Sequence, residues 1–72
     1  MRAVVITVSD SVSRGDATDL SGPTAVSLLT QAGVSVDKTV VVADDRSVIS
    51  RTIVEFAEQG FDLVITTGGT GL

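Results

Sequence analysis

The chain has 72 residues, a formal net charge of −4, and neither cysteine nor histidine. The lack of cysteine excludes disulfide bonds and thiolate chemistry, and the lack of histidine removes the usual general base and the commonest zinc ligand, so catalysis must use carboxylates, hydroxyls, backbone amides or a hard cation. The acidic balance argues against a general nucleic-acid binder, and two phenylalanines are too few aromatic residues for a base-stacking platform.

The first part of the chain predicts a strand, a long loop and a helix. Ala3–Val8 is an apolar run typical of a buried strand, and it is too short for a signal peptide or a membrane span, so we expect a cytoplasmic protein. Residues 9–23 are rich in Ser, Asp and Gly, which predicts a loop, and loops of this length are often functional. Ser21 or Gly22 is expected to cap the next helix. The apolar face of that helix is predicted to contain Ala25, Leu28, Leu29 and Ala32.

The second part of the chain repeats this alternation. Residues 38–43 predict a second strand, and a second helix is expected to run from there to about residue 59. Asp44 or Asp45 could cap that helix, and the sequence does not say which. Leu63–Thr67 predicts the third strand. The β-α-β-α-β order indicates an α/β fold with a parallel sheet and helices on its faces.

Polar residues follow each predicted strand. Ser9 and Asp10 come after the first strand, Asp44 after the second, and the Gly-rich residues 66–71 after the third. In a parallel sheet these positions share one edge, where ligands of α/β proteins bind. Glycines there let backbone N–H groups surround a phosphate, and Mg²⁺ could bridge nearby carboxylates to phosphate oxygens. The alternative is purely structural, with capping aspartates and a Gly-rich turn.

Two longer patterns carry a resemblance to a known family. Residues 8–15 read Val-Ser-Asp-Ser-Val-Ser-Arg-Gly and lead to Asp-Leu-Ser-Gly-Pro at 19–23, while residues 62–71 read Asp-Leu-Val-Ile-Thr-Thr-Gly-Gly-Thr-Gly. With both patterns the chain resembles the molybdenum cofactor biosynthesis proteins of the MoaB/Mog type, the molybdopterin adenylyltransferase family. The resemblance implies a three-layer α/β/α fold with a mostly parallel sheet. It also implies transfer of AMP from Mg-ATP to the terminal phosphate of molybdopterin, no nucleic-acid or membrane partner, and a homo-oligomer of three or more subunits.

The resemblance also assigns roles to residues. It implies that Asp44 is catalytic and a metal ligand, acting through Mg²⁺. The residues that it implies bind the substrates, molybdopterin and ATP, are Ser9, Asp10, Asp19, Ser21, Gly22, Thr67, Gly68, Gly69, Thr70 and Gly71.

The chain departs from the family pattern in two places. Ala43 stands where the family usually has proline before the acidic residue matched by Asp44. The family also continues past Gly-Gly-Thr-Gly to a further catalytic aspartate, whereas this sequence ends at Leu72. Residues 1–72 are therefore expected to be the N-terminal part of a single molybdopterin-binding domain, inactive alone. A non-catalytic pterin-binding member and an oligomeric scaffold are the alternatives to an enzyme.

Overall fold

The computed structural model describes residues 1–68, which form three strands and three helices. In chain order the elements are β1 (Ala3–Val8), α1 (Asp10–Ser13), α2 (Ser21–Gln31), β2 (Val36–Val42), α3 (Arg46–Glu58) and β3 (Leu63–Thr67). The predicted bounds of β1 and β3 are confirmed. β2 begins two positions before the predicted start, and a helical turn that the sequence did not indicate interrupts the loop after β1.

The strands form a parallel sheet in the order β2-β1-β3. β1 is the central strand, and all of its residues are buried because both of its edges are paired and both of its faces are covered. Side chains alternate between the two faces of a strand, so Val4, Ile6 and Val8 lie on one face, and Val5 and Thr7 lie on the other.

Helix α3 covers the first of these faces. Phe56 of α3 and Phe61 join Val4, Ile6 and Val8 in one buried cluster. The rings of Phe56 and Phe61 meet edge to face with their centroids 5.3 Å apart, an arrangement that aromatic pairs favour. The face of α3 that packs here contains Ile49, Ile53 and Phe56.

Helix α2 covers the opposite face of the sheet. Gly22, in its first turn, is buried, and a side chain there would contact the hydroxyl of Thr7 on β1. The predicted apolar face of α2 is wrong in part, because Leu28 is 61% exposed and Ala32 is exposed as well. With α3 on one face of the sheet and α2 on the other, the prediction of an α/β/α arrangement is confirmed. No helix within residues 1–68 is both long enough and apolar enough to cross a membrane.

The starts of α2 and α3 decide two predictions about capping. The N-cap position of α2 is Leu20, whose side chain makes no capping hydrogen bond, so the expectation that Ser21 or Gly22 caps this helix is wrong. At α3 the cap is Asp45, which has extended backbone angles and accepts hydrogen bonds from the amides of Ser47 and Val48. Asp44 is therefore not needed to begin the helix.

Arg2, just before β1, contacts three residues from distant parts of the chain. Its guanidinium carbon lies 4.3 Å from the ring centroid of Phe61, Nε donates to Asp37 Oδ2 at 3.0 Å, and Nη1 donates to the Gln59 carbonyl at 3.1 Å. We expect Arg2→Ala to lower the free energy of unfolding by about 1 kcal/mol, since these contacts are half exposed.

The matched control for this prediction is Arg14→Ala, because the ion pair of Arg14 with Asp16 is largely exposed. Urea unfolding of the full-length protein measures both variants. The midpoint should fall for Arg2→Ala and stay within error for Arg14→Ala. Equal midpoints for the two variants would remove Arg2 from the contacts that stabilise this fold.

Candidate functional site

The N-terminal end of α2 is attached to β1 through the carboxylate of Asp19. Asp19 Oδ1 accepts a hydrogen bond from the Gly22 amide at 3.0 Å, and Asp19 Oδ2 accepts one from the Thr7 hydroxyl at 2.9 Å. Asp19 thus performs the capping expected of Ser21 or Gly22, from one position before the N-cap. Both of its oxygens are engaged within the protein, which makes Asp19 a poor candidate for a direct metal ligand.

The same end of α2 also contacts the end of β3. Ser21 Oγ lies 3.1 Å from Thr67 Oγ1, and Thr67 Oγ1 donates to Thr7 Oγ1 at 3.4 Å. Thr7 and Thr67 are paired across neighbouring strands on the α2 face, which explains why their side chains meet. Side chains from β1, β3 and α2 therefore form one polar cluster at the carboxyl edge of the sheet.

Gly68, directly after β3, approaches the backbone of β1 closely. Its φ is +74°, a conformation that L side chains rarely adopt, and a Cβ atom there would lie 3.0 Å from the carbonyl oxygen of Val8. The same Cβ would lie 3.5 Å from Ser21 Oγ. Glycine is required here by backbone conformation and by space, so the first residue of the predicted phosphate loop is fixed against the end of β1.

The loops after β1 and β2 meet on the other side of β1. The Ser9 amide donates to the carbonyl of Val42 at 3.0 Å, and Ser9 Oγ accepts from the Val12 amide at 3.3 Å, which begins α1. Asp10 Oδ1 then accepts from the amide of Asp44 at 2.9 Å. Ser9 and Asp10 therefore hold the loop that carries Asp44 against the carboxyl end of β1.

Among the neighbouring carboxylates, that of Asp44 makes the fewest hydrogen bonds and ion pairs within residues 1–68. Asp45 caps α3, Asp19 holds α2 and Asp16 pairs with Arg14. In the part of the chain that the structure describes, the Asp44 carboxylate makes no side-chain hydrogen bond, and no group of three or more acidic, His or Cys side chains could hold a metal ion. A cation here would need ligands from a substrate, as Mg²⁺ commonly takes from phosphates.

An open cavity of about 380 Å³ lies between α2 and β2. Asp19 and Gly22 are the predicted site residues among its lining, which also includes Pro23, Val26, Ser27 and Thr39. Its volume is in the range of small-molecule pockets. The lining of this cavity includes Asp19 and Gly22 of the polar cluster but neither Asp10 nor Asp44. The two acidic loops that meet after β1 and β2 therefore do not line it.

The structure brings most of the predicted site residues to one edge of the sheet, as the parallel topology requires. Thr7 belongs to the cluster as well, although the sequence reasoning missed it. Its signal was a single hydroxyl in an otherwise apolar strand. The predictions for Gly69, Thr70 and Gly71 lie outside the described residues, and the binding roles of all the candidates remain predictions.

Comparison with known proteins decides the family. The family model described as "Probable molybdopterin binding domain" matches residues 4–72, which is nearly the whole chain. The chain belongs to this family. The predicted resemblance, drawn from the Ser-Asp loop, the Asp-x-Ser-Gly-Pro helix start and the glycine-rich end, is confirmed.

Two relatives of the chain have names from molybdenum cofactor biosynthesis. The chain is 41% identical over 70 residues to the molybdenum cofactor biosynthesis bifunctional protein of Synechococcus elongatus, covering 97% of this chain and 22% of that protein. It is 40% identical over 68 residues to the molybdopterin adenylyltransferase of Pyrococcus furiosus, covering 94% of this chain and 40% of that protein.

A solved member of the family confirms the fold. The crystal structure of a molybdopterin biosynthesis protein from Mycobacterium abscessus superposes with a TM-score of 0.89 at 42% identity. The superposition covers 99% of this chain and 44% of that one. The chain thus spans less than half the length of each of these relatives.

Proposed function

We propose that the full-length protein takes part in molybdenum cofactor biosynthesis by binding molybdopterin and transferring AMP to it from Mg-ATP. In this reaction an oxygen of the terminal phosphate of molybdopterin attacks the α-phosphorus of ATP. A new phosphoanhydride bond forms, the bond between the α- and β-phosphates breaks, and pyrophosphate leaves. The name of the Pyrococcus furiosus relative, which is 40% identical, supports this choice among phosphate chemistries.

The observation that carries the proposal is the meeting of two kinds of loop at the carboxyl end of β1. On one side, Gly68 is packed against the Val8 carbonyl and begins the glycine-rich segment. On the other side, the Asp10 carboxylate holds the loop of Asp44. An anionic substrate bound by backbone N–H groups would thus lie near an acidic loop, which is the pairing that metal-assisted phosphoryl transfer uses.

Mg²⁺ fits the side chains that remain at this edge. Within residues 1–68, Asp19 uses both carboxylate oxygens inside the protein and Asp45 uses one to cap α3, whereas Asp44 uses neither. Asp44 and the second oxygen of Asp10, which holds the Asp44 loop, are therefore the carboxylate groups best placed for a cation. Mg²⁺ is commonly held by one or two carboxylates together with substrate phosphates, and when bound it neutralises charge on the phosphate oxygens. Without a cation, these carboxylates would repel both substrates.

The test is an assay of AMP transfer by the full-length protein with purified molybdopterin and Mg-ATP. We expect adenylylated molybdopterin and pyrophosphate in equal amounts, and loss of both products when EDTA removes Mg²⁺. An ATP analogue with a methylene bridge between the α- and β-phosphates is the matched control, because its bond cannot break in this way. Binding of molybdopterin without either product would instead identify a binding-only member, and absence of binding would reject the proposal.

The cellular location and the number of subunits belong to the same proposed function. By its family the protein is expected to work in the cytoplasm as a homo-oligomer of three or more subunits. Sedimentation of the full-length protein measures the number of subunits directly, and a monomer at all concentrations would contradict this part alone.

A further inference from the structure

Thr7 is the polar residue of a strand whose other members are Ala3, Val4, Val5, Ile6 and Val8. It is only 2% exposed. A buried hydroxyl is costly unless it forms hydrogen bonds, and Thr7 forms two, to Asp19 and to Thr67. A valine would fill the same space without this requirement, so packing alone does not account for the hydroxyl.

The contacts determine which hydroxyl donates and which accepts in each of these hydrogen bonds. A hydroxyl has one proton, and that of Thr7 is donated to Asp19 Oδ2, so Thr7 can only accept from Thr67. The proton of Thr67 is then engaged, which makes Ser21 the donor in its contact with Thr67. The hydroxyl groups therefore form a chain that runs from Ser21 through Thr67 and Thr7 to Asp19.

This series of hydroxyl hydrogen bonds sets the position of α2 relative to the sheet, which the backbone hydrogen bonds between the strands do not set. Backbone hydrogen bonds between β1 and β3 hold the strands in register, but α2 lies on the face of the sheet and has no such ladder. At its N-terminal end α2 is attached by Asp19 to Thr7 and by Ser21 to Thr67. Thr7 contacts both attachments, so its hydroxyl sets where α2 begins relative to the end of β3 and to Gly68.

We propose that Thr7 is a positioning residue for substrate binding, acting through Asp19 and Thr67 on the residues that receive the phosphate of molybdopterin. This inference rests on the proposed function, since it names what sets the geometry of that site. Loss of the hydroxyl would leave Asp19 Oδ2 and Thr67 without their shared partner. The end of β3 and the start of α2 would then shift relative to each other, which weakens binding.

The experiment compares Thr7→Val, Thr7→Ser and Thr52→Val in the full-length protein. Val removes the hydroxyl with little change of shape, and Ser keeps the hydroxyl but loses a methyl group. Thr52 donates to the Val48 carbonyl within α3 at 2.7 Å and serves as the control for loss of a threonine hydrogen bond elsewhere. We expect Thr7→Val to raise the KM for molybdopterin about tenfold, with Thr7→Ser and Thr52→Val within about twofold of the wild type.

The KM is the deciding quantity because a merely structural role would reduce the amount of active protein and leave the KM unchanged. Equal KM values for all variants, or an equal rise for Thr7→Val and Thr7→Ser, would overturn the proposal. If the wild type shows no AMP transfer, the proposed function fails separately, and the Kd of molybdopterin takes the place of the KM. A Kd about tenfold weaker for Thr7→Val alone would still support the positioning role, and an unchanged Kd would overturn it.

Discussion

Asp44→Asn in the full-length protein is expected to lower AMP transfer by roughly two orders of magnitude or more while leaving stability nearly unchanged. The Asp44 carboxylate makes no side-chain hydrogen bond within residues 1–68. The hydrogen bond from the Asp44 backbone amide to Asp10 Oδ1 does not depend on the Asp44 side chain. Asn has nearly the same shape but lacks the charge that a hard cation requires. Binding of molybdopterin should change little, because the predicted phosphate contacts come from the glycine-rich segment.

The matched control is Asp45→Asn, at the next residue and on the same loop. Asp45 caps α3 through Oδ1, and Asn caps helices almost as well, so both stability and turnover should be close to those of the wild type. Turnover at saturating molybdopterin and Mg-ATP, measured together with urea unfolding, separates the two aspartates. Near-normal turnover of the Asp44 variant, or an equal loss in both variants, would contradict a catalytic role for Asp44.

The contrast between Asp44 and Asp45 shows where sequence reasoning stops. The adjacent aspartates have the same capping propensity, and which of them begins α3 depends on where the chain leaves β2. The structure decides by giving Asp45 extended backbone angles, with φ of −132° and ψ of 120°. Only after the capping role is assigned to Asp45 does the Asp44 carboxylate stand out as a group that makes no hydrogen bond within residues 1–68.

Burial explains which strands could be predicted from the sequence. β1 and β3 contain the apolar runs Ala3–Val8 and Leu63–Val64–Ile65, and their predicted bounds agree with the structure. Both β2 and β3 are edge strands of the sheet within residues 1–68, but they differ in composition. β2 begins Val36-Asp37-Lys38-Thr39, and most of these side chains are exposed, so its first residues have no apolar signal, whereas Leu63, Val64 and Ile65 of β3 are half-buried. Hydrophobic pattern predicts strands with a run of buried or half-buried apolar residues, and it becomes weak where the side chains of a strand are exposed.

The site followed from topology more than from any single residue. Parallel strands place their carboxyl ends together, which is why Ser9, Asp10, Asp44 and Thr67 could be assigned to one edge from the sequence. The sequence could not show which of these residues make structural contacts and which are left to bind a ligand. Asp19 caps α2 and also binds a sheet strand, and Thr7 joins two elements, because of contacts between residues that are distant in the chain.

Gly22→Ala is expected to lower the free energy of unfolding by about 2–3 kcal/mol and to lower AMP transfer by about a hundredfold. A Cβ at this position would lie 2.7 Å from Thr7 Oγ1 and would also clash with Asp19 Oδ2. Thr7 is buried in β1, and Asp19 is held by two hydrogen bonds, so neither atom can move away cheaply. The start of α2 must therefore shift, which separates Ser21 from Thr67.

Gly33→Ala is the matched control, just past the far end of the same helix. Gly33 has a φ of +86°, and a Cβ atom added there would have nothing within 4 Å, so alanine causes backbone strain without a steric contact. We expect this variant to lose about 1 kcal/mol of stability and to keep its turnover, because it lies away from the carboxyl edge of the sheet. Urea unfolding and AMP transfer are measured on both variants of the full-length protein. If Gly22→Ala loses no more activity than Gly33→Ala, the close contact between α2 and Thr7 is not what orders the site.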